Sequence, residues 1–355
     1  MPTAKHLPMA LWPAADKRAF DLALAPGDIF DETCGPGAHL AEGTRRMITT
    51  AYRRWLGYLH RYHQDDLRLR PGERITQAHM RAFAKHLEAE VRATTVAHYI
   101  NNLHYAAKLI EPSTDWCWLK SIASRLAALS TPEDRFCRLV PNAQVLDLGH
   151  ELMVEAADLH DYARRARETA YRDGLILALL SLWPIRRRAI ASLTISRHVK
   201  SDEDGMTLVL YGEDAKSGRS ERFRAPQDIA SCLQRYLDEM RPAFPAFSSH
   251  DGLWASNKGC PLTGGQIYNI VRRHTERRLG KPVSLHDIRR SAATFVAMDA
   301  PELVSLIPGV LQHTGPEVSE KHYTLARSVE ASHRFNSTIK TVRSDLAIKR
   351  KRHKE

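Results

Sequence analysis

The sequence predicts a mainly α-helical protein of two domains, and three observations carry that expectation. The chain is 355 residues long, more than one hydrophobic core ordinarily serves. Apolar residues recur at intervals of three and four through most of it, as in helices with one buried face. A run of breakers, Ser130-Thr131-Pro132-Glu133-Asp134, separates the periodic stretches into two groups.

Residues 1–40 are rich in Pro, Gly and Ala, show weak periodicity and read as a loosely structured N-terminal arm. From Thr44 the pattern changes: Ile48, Ala51, Trp55, Leu59 and Tyr62 fall at helical spacing, with Arg45, Arg46, Arg53, Arg54 and Arg61 around the stripe. A second helix is expected at 76–90 through Met80, Phe83 and Leu87. A third, at 94–110, starts at Thr94-Thr95, runs through Val96, Ile100, Leu103 and Ala107, and stops before Pro112. A fourth follows at 115–129. These helices make an all-α module over 41–130, and a linker is expected at 131–142.

The second domain is read over 143–340. It opens with helices near 148–159 and 165–183. Short strands at 206–211 (MTLVLY) and 221–224 follow, with Lys216-Ser217-Gly218 as the turn between them. Helices return at 227–240, 263–279, 285–298 and 302–311, and again from 316 into the 330s. Residues 341–355 end in KRKRHKE, a basic tail.

Composition narrows the function. Hydrophobic residues at 43% and charged residues at 26% exclude a wholly disordered chain. Fifty-two Lys and Arg against 41 Asp and Glu leave a formal charge of +11, which suggests a polyanionic partner. The longest uncharged apolar run, 175–183, is too short to span a bilayer. The first residues lack the charged-then-apolar order of a signal peptide, so a cytoplasmic protein is expected. Cys34, Cys117, Cys137, Cys232 and Cys260 are scattered and never spaced as CxxC, which argues against a disulfide framework or a zinc site. His60 and His63 are not accompanied by a cysteine or carboxylate constellation, so no metal is expected.

The chemistry concentrates in His286-Asp287-Ile288-Arg289-Arg290, followed by Leu311-Gln312-His313 and His322-Tyr323. On a helix, His286 and Arg289 project from one face and make a clamp for a phosphate, with parallel donors from Arg and an adjustable one from His. Upstream, an apolar helix ends at Pro184, and Arg186 follows where the packing behind it can hold it rigidly.

Arg186, Lys216, His286-x-x-Arg289, His313 and Tyr323, in that order and near those intervals, resemble the tyrosine recombinases, the phage integrase family. The resemblance covers about 145–340, and the helical module before it is similar to that family's core-binding domain, a SAM-like four-helix unit. It implies a mostly helical catalytic domain with a small antiparallel sheet. It further implies that Tyr323 attacks the scissile phosphate of DNA to give a 3′-phosphotyrosyl link. Arg186 and Arg289 would grip the non-bridging oxygens, His313 would add a hydrogen bond, His286 would receive or orient the phenolic proton, and Lys216 would protonate the departing 5′-oxygen. No metal or nucleotide cofactor is implied.

Several departures stand out. Ala189 occupies the position, three after the first arginine, where the family often has an acidic residue. Gln312 replaces the glycine commonly preceding the second histidine, and His313 to Tyr323 is one residue longer than the commonest interval. The expected partner is double-stranded DNA, held in a clamp of the two domains. Arg45, Arg46, Arg53, Arg54 and Arg187 would meet phosphates. His98, Asn101, Asn102 and His104 on the third helix would face a major groove. The resemblance further implies a tetramer on paired sites, joined by exchange of the segment after Tyr323. A type IB topoisomerase-like nicking-closing enzyme and a cleavage-deficient DNA-binding protein are the alternatives. The sequence leaves open which mobile element or replicon is served.

Overall fold

Two separate hydrophobic cores organise the chain, one in each of the units Met1–Glu133 and Asp134–Glu355. The structure is a computed structural model and describes residues 5–28, 30, 33–129, 139–159, 165–203, 205–214, 218 and 220–299.

In the first unit the stripe read from the sequence builds α2 (Glu42–Tyr62), the spine of the module. Ile48, Ala51, Trp55 and Leu59 are at most 2% exposed, whereas Tyr62, at the helix end, is 52% exposed. Met80, Phe83 and Leu87 of α3 (Gln77–Glu88) join Val96, Ile100 and Leu103 of α4 (Ala93–Ile110) around α2. α5 (Cys117–Leu129) adds Leu119 and Ala123. Each such aliphatic or aromatic side chain contributes about 1.5–3 kcal/mol on burial.

The N-terminal residues correct the expectation of a loose arm. α1 (Ala14–Ala23) starts directly after Pro13, and Leu7, Trp12 and Phe20 are each 3% exposed in the core of the first unit. The Trp12 ring meets Phe20 and Tyr52 edge-on, with centroids 5.0 and 5.4 Å apart. Pro8 and Pro13 interrupt the segment and leave only a short helix, which is why no periodicity showed. Asp16 and Arg74 tie this segment to the loop before α3 through a fully buried ion pair, 2.8 Å at its closest. Tyr52 donates to the same carboxylate at 2.5 Å.

The second unit is built around α7 (Ala166–Leu182), buried without interruption from Tyr171 to Ser181. Such a helix has no solvent face, so its periodicity is weak and its position is fixed from all sides. α6 (Asn142–Asp158) crosses it at backbone contact: a Cβ on Gly174 would lie 2.5 Å from the Gly149 carbonyl oxygen. α6 starts six residues before the expected helix, because Pro141 caps it from within what reads as linker.

After α8 (Arg187–Ser192) and α9 (Ile195–His198) come three antiparallel strands in the order β1-β2-β3. β1 (Val199–Asp202) is a polar edge strand that alternation could not reveal. β2 (Gly205–Leu210) pairs with β3 (Glu221–Arg224), Leu208 opposite Phe223. α10 (Gln227–Arg235) runs on through a π-helical turn at Tyr236–Met240. α11 (Gly264–Leu279) begins with a Thr263/Gln266 capping box, and α12 (Leu285–Asp299) follows. The helices expected at 302–311 and from 316, and the basic tail, lie outside the described residues. No helix among the described residues is long and apolar enough to cross a membrane.

Arg74→Ala leaves Asp16 ionised and buried, and urea unfolding of the variant should show a loss of about 3–5 kcal/mol. A loss below 1 kcal/mol would mean that this pair does not hold the N-terminal segment in place.

Candidate functional site

The path from α7 sets up the site. After Leu182 the chain cannot continue as helix, because Pro184 lacks an N–H and restricts the residue before it. Trp183 closes α7 and stacks on Phe223 of β3, ring centroids 5.4 Å apart and 7° from parallel. Arg186 then caps α8 in an extended conformation, and its half-buried side chain starts from a backbone with little freedom. α12 supplies the second part. Its first turn is closed reciprocally: Ser284 Oγ accepts from the Asp287 N–H at 3.1 Å and Asp287 Oδ2 from the Ser284 N–H at 3.0 Å. His286 therefore stands exposed at the helix start. Arg289, one turn on, is only 7% exposed and donates to the Pro184 carbonyl.

Arg186, Arg187, Tyr268, Ser284, Leu285, His286 and Arg289 line one cavity of about 420 Å³. Three guanidinium groups and an imidazole line the same space at a helix start, and no carboxylate lines it among the described residues. That is the chemistry of an anion site, favoured further by the positive end of the helix dipole. Arg289 titrates lower than an ordinary arginine, at about 10, chiefly from burial and secondarily from the Arg186 charge; Glu221 opposes both. It stays protonated at neutral pH. An anion in the cavity would push its pKa back up, by linkage.

Glu221 is the residue that sequence reasoning missed. It opens β3, accepts a hydrogen bond from the Trp183 side chain, and interacts electrostatically with Arg289 and Arg186; burial pushes its carboxyl up. Its other oxygen, Oε1, is buried with no hydrogen-bond partner among the described residues. This is a carboxylate behind the arginines from elsewhere in the chain, where Ala189 offers none. The signal was present: Glu221 shares a strand face with Phe223, which the stack on Trp183 turns inward.

Lys216, His313 and Tyr323 lie outside the described residues. The described residues before and after Lys216 are held by hydrogen bonds and ion pairs. The Gly212 N–H donates to Ser220 Oγ at 3.0 Å, and Asp214 meets both His198 and Arg197 at 3.2 Å.

Several residues expected to meet DNA have structural partners instead. Arg54 is 4% exposed and pairs with Glu90 at 2.5 Å, and Arg45 donates to the Leu40 and Ala38 carbonyls. Arg53 donates to the Leu7 carbonyl at 3.2 Å. Asn102 is buried and donates to the His98 carbonyl at 2.8 Å, and His104 is buried as well. Arg46, Arg187 and His98 are exposed, and Asn101 is half-buried. Arg54, Asn102 and His104 are buried, and spacing alone did not tell which side of α2 and α4 meets the core.

Inorganic phosphate should therefore raise the thermal stability of the protein, by about 1.4 kcal/mol at ten times its Kd. Arg289→Met should abolish that effect. Glu221→Gln should keep or strengthen it, since the carboxylate competes with phosphate for the same cations. Loss of the effect in Glu221→Gln would contradict the role given to this residue.

No family model matches the chain. It is 24% identical over 295 residues to the tyrosine recombinase XerD of Chlorobaculum tepidum, an alignment covering 80% of this chain and 86% of the relative. Its fold is similar to XerH site-specific recombinase bound to difH substrate in a pre-cleavage complex, with a TM-score of 0.53 and 15% identity over 90% of this chain and 92% of that one. The post-cleavage complex of XerH with palindromic difH gives 0.55 and 15% over 90% and 94%. Along most of its length, then, the chain is similar in sequence to a tyrosine recombinase and shares the fold of site-specific recombinases.

Proposed function

We propose that the chain cuts and rejoins double-stranded DNA at specific sites through a covalent 3′-phosphotyrosyl intermediate at Tyr323, with no metal at the reacting phosphate. The observation that carries the reading is the convergence of Arg186, Arg289 and His286 on one cavity at the start of α12. Cations facing one space, with no carboxylate lining it among the described residues, suit a phosphodiester whose non-bridging oxygens gain charge as it is attacked.

In the proposed reaction the Tyr323 hydroxyl loses its proton to His286 or to water that His286 orients. Its oxygen forms a bond to phosphorus, and the bond from phosphorus to the 5′-oxygen breaks. Lys216 donates the proton that makes this oxygen a hydroxyl. Arg186, Arg289 and His313 hold the non-bridging oxygens meanwhile. A 5′-hydroxyl from a partner strand then reverses these steps and frees the tyrosine. One phosphoester bond replaces another at each step, so no nucleotide energy source is needed.

For the first unit, α4 offers a face of Thr94, His98, Asn101, Tyr105 and Lys108, spaced by three and four and exposed or half-exposed. Such a polar helix face fits a major groove, with Arg46 and Arg92 as exposed cations for phosphates. Binding would weaken steeply with salt. The segment after Tyr323 is proposed to dock on a neighbouring subunit in a tetramer on paired sites.

On a nicked suicide substrate the wild type should accumulate a covalent adduct that Tyr323→Phe does not form, while its DNA affinity stays within about threefold, under 1 kcal/mol. Adducts that persist in the variant would remove Tyr323 from the reaction. Joining of two defined sites is expected. Relaxation of any supercoiled plasmid without such sites would instead make the protein a nicking-closing enzyme.

A further inference from the structure

The first unit holds a side-chain cluster that the DNA chemistry does not use. His63, Asp66 and His79 each turn one ligand-type atom to a common point, all within 4.8 Å of one another. We propose that they bind a zinc-class divalent metal ion that fastens the end of α2 to the start of α3.

The backbone fixes each group independently. His63 closes α2, its N–H donating to the Leu59 carbonyl at 2.7 Å. Asp66 sits three residues on, in the 3-10 turn Gln64–Arg68. His79 is in the first turn of α3, its N–H donating to the Thr76 cap at 3.2 Å. The loop between them is anchored in the core by the buried Arg74–Asp16 pair. The sequence hid this site because its second histidine lies beyond that loop, and His60, which drew attention, takes no part.

The outer hydrogen bonds orient the rings for ligation. His79 Nδ1 lies 2.9 Å from the Arg74 carbonyl, which can only accept, so Nδ1 carries a proton and Nε2 is the ring atom facing Asp66 Oδ2, at 3.3 Å. His63 Nε2 lies 3.3 Å from the Tyr58 hydroxyl, leaving Nδ1 to face the same oxygen at 3.8 Å. Two imidazole nitrogens grouped around one carboxylate oxygen call for positive charge among them, which ring protons or a metal ion can supply. Metal-ligating histidines commonly have such a second hydrogen bond to a carbonyl or hydroxyl.

Ligands about 2.0–2.1 Å from a tetrahedral zinc ion lie roughly 3.3 Å apart, so the cluster needs only small side-chain adjustments. Two imidazoles with one carboxylate favour zinc over magnesium or calcium, which prefer all-oxygen sets. The ligand side chains are 34%, 28% and 24% exposed, so a water molecule can complete the coordination.

Calorimetric titration of the full-length, chelator-treated protein with Zn²⁺ tests this. The expected result is one ion per chain, bound at micromolar concentration or tighter, with Mg²⁺ giving no heat. His79→Gln and Asp66→Asn should each weaken it by about tenfold or more. Cobalt substitution should give the visible absorption of four-coordinate Co²⁺ in the wild type and lose it in both variants. Circular dichroism of the chelated variants checks folding. If they unfold, hydrogen exchange of the wild type decides, since Zn²⁺ should slow exchange within 63–79. No binding by the wild type, equal binding by the folded variants, or zinc protection elsewhere in the chain would overturn the proposal.

Discussion

The second unit depends on keeping two guanidinium groups, Arg186 and Arg289, beside each other with one of them buried. Left to themselves they would separate into water, because like charges a few ångströms apart in a partly desolvated setting repel by up to a few kcal/mol. The fold prevents this from both sides. α7 is packed on every face and ends where Pro184 forces the turn to Arg186, while α12 brings Arg289 onto the Pro184 carbonyl. The backbone contact of Gly149 with Gly174 and the stack of Trp183 on Phe223 fix the direction in which α7 points. Glu221 supplies partial compensation from β3, but does not line the cavity.

A concentration of positive charge is what the site has to offer. An anion entering the cavity would offset the mutual repulsion of Arg186 and Arg289. In the proposed reaction, positioning before binding would also mean little reorganisation as charge grows on the non-bridging oxygens. Glu221 interacts electrostatically with both arginines without lining the cavity. A carboxylate placed three residues after Arg186 is one solution to that problem. Ala189, 4% exposed in the core, is compatible with another, in which the countercharge comes from a strand.

Much of this was legible because the groups that matter lie where periodicity or punctuation is strong. The helices through Trp55, Phe83 and Ile100 follow their apolar spacing, and His286 and Arg289 share a face as a spacing of three requires. What escaped depended on partners distant in sequence. The N-terminal segment reads as a loose arm until Trp12 is seen against Tyr52. Arg54 and Asn102 look like surface groups until Glu90 and the turn of α4 are seen to claim them. Glu221 is an unremarkable strand residue until two arginines from other elements approach it. Local pattern determines what a segment becomes, whereas charge pairing across tens of residues determines which of its polar groups remain available.

The most direct measurement compares cleavage of a normal phosphodiester with cleavage of a neutral methylphosphonate at the same position, by the wild type and by Arg289→Ala. If the arginine neutralises charge on the reacting phosphate, the variant should be severely impaired on the charged substrate, about a hundredfold or more, and impaired far less on the uncharged one. An equal loss on both substrates would show that Arg289 supports the fold rather than the phosphate, and would contradict the account.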